Sequence, residues 1–234
     1  MQVASLKNVS RSYGKGAAKV DAVRDASIEI LNNRFTVLSG PSGSGKTTLL
    51  NLIGCIDKAD TGSVSVAGVD VDRMRDNALS DFRASHIGFI FQNFNLLPVL
   101  SAVENVEYPL TLLGVRAAER RRTALALLDA VGLAQQAKRR PGELSGGQRQ
   151  RVAIARALAT GPALVLADEP TANLDSRTGI EIIELMRTMQ RERATSFVFS
   201  SHDPNVLSSA DDIILIKDGA IVETRRDVRN GRPS

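Results

Sequence analysis

A glycine-rich segment of eight residues restricts the fold of this chain more than any other feature. Residues 40–47 satisfy the pattern G-x-x-x-x-G-K-[ST], directly after a strand-like apolar segment at 35–38 and directly before a helix-like segment at 48–56. Glycine lets the backbone curl so that successive N–H groups point inward, and the next helix adds its positive N-terminal end to this anion site. An ordinary Gly/Ser-rich turn is the alternative, but the order of strand, loop, Lys-Thr and helix favours a phosphate-binding loop. Its members are Gly40, Pro41, Ser42, Gly43, Ser44, Gly45, Lys46 and Thr47.

Two further acids complete a candidate site for a nucleotide and Mg²⁺. Lys46 is expected to reach the β- and γ-phosphates, and the Thr47 hydroxyl to bind the metal. The apolar segment 164–167 ends in Asp168 and Glu169, and acids at the carboxyl end of a buried strand lie at the rim where α/β sheets bind ligands. We therefore expect Asp168 to hold Mg²⁺ and Glu169 to polarise the attacking water. Taken alone, the pair also fits a strand that merely ends at solvent.

Strand-like apolar segments alternate with helical segments along most of the chain, which indicates an α/β fold with a largely parallel sheet. Between residues 95 and 158 the pattern is helical, since the apolar residues of 116–131 recur at spacings of three and four. The sequence predicts one domain, 1–234, with a core of residues 1–92 and 160–225 and an inserted helical subdomain of about 93–159. The strand-like segments are 3–9, 26–30, 35–38, 87–91, 164–167, 196–200 and 212–216.

No segment has the features of a membrane span or a secretion signal. The longest apolar stretches, such as 163–167 and 213–216, are far shorter than the roughly 18 to 20 residues that a spanning helix needs. The first 13 residues contain Lys7 and Arg11 among polar residues and no apolar core of a signal peptide. We therefore expect a cytoplasmic protein. Its single cysteine, Cys55, has apolar neighbours and is predicted to be a packed thiol rather than a reactive one.

The basic charge of the chain comes largely from arginine clusters. The net charge is +4 and the pI is about 9.5. Such clusters fit nucleic acid, anionic lipid headgroups or a solvated surface. No aromatic residues are interleaved with them as a base-stacking surface requires, so the solvated surface is favoured and no nucleic-acid partner is expected. The clusters are 120–122, 138–140, and Arg225, Arg226 and Arg229.

Residues 144–148, Leu-Ser-Gly-Gly-Gln, allow two interpretations. Ser145 with Gln148 three residues later fits a capping box that begins a helix. A capped helix N-terminus with glycines beside the cap is also a second anion site, and the cap alone does not explain the pair Gly146 and Gly147. Both interpretations are compatible with one geometry.

Together these segments resemble the ABC ATPase family. The phosphate loop, Gln92 after residues 88–91, residues 144–148, the pair of acids at 168 and 169, residues 173–175 and His202 occur in the family's order, over essentially the whole chain. The resemblance implies a P-loop NTPase core with a largely parallel sheet, an antiparallel β subdomain and an inserted α-helical subdomain. It also implies hydrolysis of ATP with Mg²⁺.

The resemblance assigns roles to individual residues. It implies that Tyr13 stacks on adenine, although a tyrosine that merely ends a strand is the alternative. It implies that Gln92 senses Mg²⁺ and water, that His202 contacts the γ-phosphate, and that Asp175 communicates across a subunit interface or only caps a helix. The implied catalytic residues are Glu169, His202, Gln92 and Lys46, and the metal-binding residues are Thr47, Gln92 and Asp168. The implied nucleotide contacts are Tyr13, Ser42, Gly43, Ser44, Gly45, Lys46, Thr47, Thr48, Gln92, Ser145, Gly146, Gly147, Gln148, Asp175 and His202.

The resemblance also implies two kinds of partner. Ser145, Gly146 and Gly147 of one subunit are expected to close over the ATP that Lys46 of a second copy holds, in a two-fold dimer. Integral-membrane permease subunits are the other partner. Their dock is expected in the cleft between core and helical subdomain, near residues 92–98. Exposed Phe94, Leu96, Leu97 and Pro98 are candidates for it, and packing of these four inside the subdomain is the alternative.

Within the family, residues 51–57, 91–98 and 104–106 resemble the branch of LolD-type and MacB-type ATPases. Departures occur at Ala172, Ser201 and Tyr108, where that branch often has Gly, Thr and Leu. The sequence ends at Ser234, which resembles the separate LolD-type layout more than a MacB-type fusion, and a piece of a fusion stays open. The branch implies a peripheral subunit on the cytoplasmic face of a bacterial inner membrane. It would drive efflux or lipoprotein release through a separate permease; the alternative is an FtsE-type ATPase that acts in cell division without transport.

Overall fold

Two β-sheets form the framework of the computed structural model, which describes residues 1–228. Arg229 of the C-terminal arginine cluster therefore lies outside the described residues, while Arg225 and Arg226 pair with Glu223 and Asp212. The strands in chain order are β1 (Gln2–Tyr13), β2 (Val20–Leu31), β3 (Phe35–Ser39), β4 (Thr61–Val66), β5 (Val69–Asp70), β6 (Ile87–Ile90), β7 (Leu164–Asp168), β8 (Ser196–Ser200), β9 (Asp212–Lys217) and β10 (Ala220–Arg225).

The larger sheet has the order β10-β9-β3-β8-β7-β6. Its strands are parallel except β10, which forms an antiparallel hairpin with β9. The smaller sheet has the order β2-β1-β4-β5 and is antiparallel throughout. The chain is therefore an α/β protein with the two kinds of sheet that the resemblance implied.

Helices cover the larger sheet and fill the long connection between β6 and β7. Helix α3 begins with a capping box in which Ser101 and Glu104 bond to each other's backbone N–H groups. Helices α3, α4 and α5 lie in the segment predicted to be helical. The helices are α1 (Lys46–Ile53), α2 (Asp76–His86), α3 (Ala102–Leu112), α4 (Ala117–Ala130), α5 (Gly146–Ala157), α6 (Ser176–Arg193) and α7 (Pro204–Ser208).

Alternate residues of β3 contribute to two hydrophobic cores, one on each face of the larger sheet. Phe35 and Val37 pack with residues of the helical segment and α6, whereas Leu38 packs with α1 and the antiparallel sheet. This alternation is the period of two expected of a strand buried on both faces. Because both faces are covered, the carboxyl ends of the strands form the exposed rim at which a site can be built.

All seven predicted strands are present, but β1 continues to Tyr13 instead of ending at residue 9, and β2 begins at Val20 instead of residue 26. The segment predicted to be helical at 48–56 is shorter, because α1 ends at Ile53 and Cys55 adopts a left-handed conformation with φ of 56°. Cys55 is 2% exposed, and burial raises the pKa of its thiol to about 11, which confirms a packed thiol. Within residues 1–228, no helix combines the length and apolar character needed to cross a bilayer.

Candidate functional site

The loop of residues 40–47 joins β3 to α1 and lines a cavity of about 880 Å³ at the rim of the sheet. Gly45 directly precedes α1 with φ of 103°, and a Cβ at this position would lie 2.3 Å from the Ala22 carbonyl oxygen. Only glycine satisfies both constraints without displacement of the backbone. The turn after β9 also stabilises the loop, since the Gly219 N–H donates to the Ser44 carbonyl at 3.0 Å.

Most of the predicted residues meet in this cavity. Lys46 donates from Nζ to the carbonyl oxygens of Gly40 at 2.8 Å and Pro41 at 3.0 Å, so its ammonium group lies over the loop. Thr47, at the start of α1, points its Oγ1 toward Asp168. The predicted residues that line the cavity are Ser42, Gly43, Gly45, Lys46, Thr47, Thr48, Gln92, Asp168, Glu169 and His202.

Asp168 and Glu169 have different surroundings although they are adjacent. Asp168 is the last residue of β7 and pairs in register with Ser200 of β8, whose hydroxyl donates to Asp168 Oδ1. Glu169 has a left-handed φ of 44° and turns its side chain into the cavity. Its Oε1 lies 3.0 Å from Nδ1 of His202, a distance at which a protonated Nδ1 donates to the carboxylate. One acid thus faces Thr47 and the other faces the histidine.

Ser200 is a member of the site that sequence reasoning missed. It is fully buried; besides donating to Asp168, it accepts from the Glu169 N–H, with its hydroxyl and its carbonyl each 3.1 Å from that nitrogen. Ser200 therefore fixes the direction of both acids. The sequence places Ser200 at the end of a strand and gives no other signal. That this strand lies beside the one that ends in residues 168 and 169 can be known only from the strand order of the sheet.

The oxygen donors fit a small divalent cation. Thr47 Oγ1 lies 3.2 Å and 3.3 Å from the two carboxylate oxygens of Asp168, and Gln92 lines the same cavity. Within residues 1–228, no cluster of three or more His, Cys, Asp or Glu side chains could form a metal cage by itself. Mg²⁺ is commonly held by one or two protein oxygens together with water and phosphate, so this sparse donor set suits it.

Ser145 and the glycines after it lie elsewhere. The capping box at the start of α5 is present, since the Gln148 N–H donates to Ser145 Oγ at 3.2 Å and the Ser145 N–H donates to Gln148 Oε1 at 2.9 Å. None of residues 145–148 lines the cavity. A Cβ at Gly147 would approach Thr178 Cγ2 to 2.7 Å, so the glycine also allows close packing against α6.

Three other predicted residues also lie outside the cavity lining. Tyr13 donates from its hydroxyl to Asp57 at 2.5 Å, and the Arg11 guanidinium covers its ring at 4.9 Å, which leaves at most one ring face for a base. Ser44 is buried and its side chain does not line the cavity. Asp175 caps α6 by accepting from the Thr178 N–H at 3.0 Å, and this bond lowers the pKa of its carboxyl. The capping alternative for Asp175 is therefore present in the structure.

Two amide side chains connect the separate parts of the site. Asn173 Nδ2 donates to the Gln92 carbonyl and to Asn93 Oδ1, both at 2.9 Å. Gln150 of α5 is fully buried and donates to the Pro170 carbonyl at 2.6 Å. Hydrogen bonds thus connect α5, which Ser145 caps, to the loop that follows Glu169, and connect that loop to the backbone of Gln92.

Comparison with known proteins agrees with this geometry. The family model described as "ABC transporter" matches residues 23–172. An "Uncharacterized ABC transporter ATP-binding protein" of Thermotoga maritima is 47% identical over 94% of this chain and 94% of its own length. The "Macrolide export ATP-binding/permease protein MacB 1" of Yersinia pestis is 44% identical over 93% of this chain, which spans 33% of that relative. A dimeric, post-hydrolysis structure of the ATP-binding cassette MJ0796, bound to ADP and Pi, has a TM-score of 0.87 and 41% identity over 95% of this chain and 98% of its own.

Proposed function

The chain belongs to the ABC transporter family, as its ATP-binding and ATP-hydrolysing subunit, and from this premise we propose that it drives efflux or lipoprotein release through a separate membrane permease. Its place would be the cytoplasmic face of a bacterial inner membrane. The macrolide-export relatives, which are ATP-binding/permease proteins by name, support the efflux branch. Co-purification of the permease from native membranes tests this proposal, and a cell-division partner without transport would instead favour the FtsE-type alternative.

The observation that carries the catalytic proposal is the separation of the two anion sites. Lys46, Glu169 and His202 line one cavity, whereas Ser145 begins a helix that does not reach it. We propose that Ser145, Gly146 and Gly147 of a second copy close over the nucleotide in this cavity. Dimeric cassettes among the similar structures support this arrangement. We also propose that α5 belongs to a helical subdomain, about 93–159, inserted in a core of residues 1–92 and 160–225.

The proposed chemistry at this site uses residues of known position. Lys46 and the N–H groups of the loop bind the phosphates, and Glu169, fixed by Ser200 and His202, orients the attacking water. Thr47, Asp168 and Gln92 would hold Mg²⁺, which when bound neutralises phosphate charge. Loss of the γ-phosphate contacts weakens the dimer, so hydrolysis changes the population of closed and open states.

Mixing two inactive variants tests the shared site. Ser145→Arg obstructs the nucleotide of the partner copy, and Lys46→Ala disables the variant's own cavity. Each homodimer then lacks an intact site, while each mixed dimer has one. We expect recovery of roughly a quarter of wild-type ATPase activity at equal mixing. Activity that does not recover, although mixed dimers are seen by cross-linking, would contradict completion of the site by a second copy.

Replacement of Ser200 by Ala tests the positioning of the two acids. The variant loses a hydrogen bond to a charged group, worth about 1.5–3 kcal/mol, and leaves the Glu169 N–H with one acceptor fewer. We expect kcat to fall roughly tenfold or more with little change in ATP affinity. Ser196→Ala is the matched control, since Ser196 begins the same strand and, among residues 1–228, its hydroxyl accepts only from the Asn33 N–H. Equal kcat losses in both variants would show a loss of stability and not of positioning.

The apolar segment expected to dock the permease is only partly exposed. Leu97 and Pro98 are exposed, as expected, and Val99 beside them is 73% exposed. Phe94 is half-buried with the Arg149 guanidinium 5.3 Å from its ring centroid, and Leu96 packs against the core. The expected exposure of Phe94 and Leu96 is therefore wrong, because these two side chains anchor the segment to the domain.

A further inference from the structure

The nucleotide cavity extends beyond the phosphate loop along the first residues of β2. Val20, Asp21 and Ala22 line it, although no role was predicted for them. Ala22 lies against the loop, since its carbonyl oxygen would be 2.3 Å from a Cβ on Gly45. A strand rises about 3.3 Å per residue, so Val20 lies roughly 6–7 Å further along β2.

This part of the cavity is the place for the base of a bound nucleotide. Glu169 and His202, where the γ-phosphate is expected, follow β7 and β8 of the larger sheet. Strand β2 belongs to the smaller, antiparallel sheet. With the γ-phosphate at the larger sheet and the other phosphates over the loop, the ribose and base extend toward the smaller sheet.

The pairing of β1 with β2 shifts by one residue beside Ala22. Arg11 pairs with Val23, but Ser12 pairs with Asp21, so Ala22 is an extra residue on β2. A bulge of this kind interrupts the alternation of side chains along a strand and changes their direction. Consecutive residues of β2 can therefore line the same cavity.

Val20 and Asp21 offer a base two different kinds of contact. Val20 is 62% exposed and pairs with Tyr13, so an apolar side chain and the predicted stacking ring lie at the same end of the two strands. The flat face of a base gains free energy by covering exposed apolar surface. The polar edge of the base needs a hydrogen-bonding partner, and Asp21 is the residue of β2 that can supply one.

The Asp21 carboxylate is held in position through one of its oxygens. Its Oδ1 accepts from Ser12 Oγ at 3.0 Å and lies 3.3 Å from Lys19 Nζ, whereas no hydrogen bond within residues 1–228 engages Oδ2. The bond from Ser12 lowers the pKa of the Asp21 carboxyl, and Lys19 adds to this effect. The group is therefore ionised at neutral pH and acts only as an acceptor.

We propose that Asp21 recognises the base of the nucleotide by accepting a hydrogen bond from the 6-amino group of adenine. Guanine has a carbonyl oxygen at the same position, which an ionised carboxylate repels. A site built to bond a particular polar group selects against analogues that lack it. The contact needs only nucleotide binding, so it does not depend on the proposed dimer or on the proposed permease.

The test compares ADP with purine riboside 5′-diphosphate, which lacks the 6-amino group. The two diphosphates have no γ-phosphate to lose, so isothermal titration calorimetry on the purified chain with Mg²⁺ measures both affinities directly. One hydrogen bond to a half-exposed carboxylate should make the wild type bind ADP roughly three- to tenfold more tightly. Asp21→Ala should bring the ratio of the two affinities close to one, in the manner of a double-mutant cycle between a residue and a ligand group.

Two further variants accompany Asp21→Ala. Asp21→Asn keeps the shape of the side chain with a neutral acceptor, so it should lower the ratio by less. Asp218→Asn is the matched control, because Asp218 also lines the cavity, in the turn between β9 and β10, and its φ of 50° suits asparagine. It removes the same charge and should leave the ratio as in the wild type.

A ratio that falls in Asp21→Ala and stays high in Asp218→Asn supports recognition of adenine by Asp21. An unchanged ratio in both Asp21 variants overturns it, as does a wild type that binds the two diphosphates equally. An equal fall in Asp218→Asn also overturns it, since the effect would then come from the charge of the cavity. Tighter binding of GDP than of ADP by the wild type overturns it as well, because the carboxylate would then accept from the N1–H and N2–H donors of guanine.

Discussion

Replacement of Glu169 by Gln is expected to lower ATP turnover by about 10²- to 10⁴-fold while ATP still binds, because the amide cannot accept a proton from the attacking water. The change keeps the size of the side chain and leaves the Glu169 N–H bonded to Ser200. Because ATP is bound but not hydrolysed, the dimer should persist. Size-exclusion chromatography with ATP should then show the variant as a dimer.

The control for this variant is Glu192→Gln, an exposed acid near the end of α6 that does not line the cavity. It removes the same charge and should leave turnover unchanged. Wild-type turnover in Glu169→Gln would remove Glu169 from its proposed role and leave Asp168 or His202 to orient the water. Loss of turnover together with loss of ATP binding would indicate instead that the substitution damages the loop.

The parts of the fold that were predicted correctly are those with a strong local signal. The parallel strands are continuous apolar runs, and Phe35, Phe197 and Phe199 in β3 and β8 are fully buried. The phosphate loop has its pattern and context within about twenty residues of sequence. In both cases the residues that determine the structure are neighbours along the chain, so sequence alone is sufficient.

Elements that depend on distant neighbours were not predicted. Strand β4 contains Gly62, Ser63 and Ser65, which bury little apolar surface, and its pairing with β1 supplies the stability. Helix α2 buries only Leu79 and Phe82, so its apolar stripe is too short for the pattern to be recognised.

The same limit applies to the candidate site. The Ser200 hydroxyl of β8 donates to Asp168 of the neighbouring strand β7, and the two residues are 32 positions apart in the chain. No local pattern distinguishes Ser200 from the other serines. A second cavity, of about 480 Å³, is lined jointly by residues of α2, α3 and α5, so it depends on the packing of these helices rather than on the sequence of any one of them. Sequence reasoning identified the residues whose chemistry is specific to a nucleotide site. It did not identify the groups, such as Ser200, that orient those residues.

Replacement of Lys46 by Ala is expected to weaken ATP binding itself, in contrast to Glu169→Gln. Its ammonium group lies 2.8 Å and 3.0 Å from two carbonyls of its own loop, where it can exchange these acceptors for phosphate oxygens. Hydrogen bonds to charged groups are worth about 1.5–3 kcal/mol each, so loss of even one should reduce affinity roughly tenfold to a hundredfold. Titration with a fluorescent ATP analogue measures this loss.

The charge and the geometry of Lys46 can be separated. Lys46→Arg keeps the charge but replaces the compact ammonium, which lies 2.8 Å and 3.0 Å from the Gly40 and Pro41 carbonyl oxygens, by a larger planar guanidinium with a different donor geometry. We expect this variant to bind ATP more weakly than the wild type, since the loop requires a point charge at that position. Lys138→Ala, which removes an exposed lysine that does not line the cavity, should leave affinity unchanged. Unchanged affinity in Lys46→Ala would instead mean that the backbone N–H groups and the helix N-terminus bind the phosphates without the lysine.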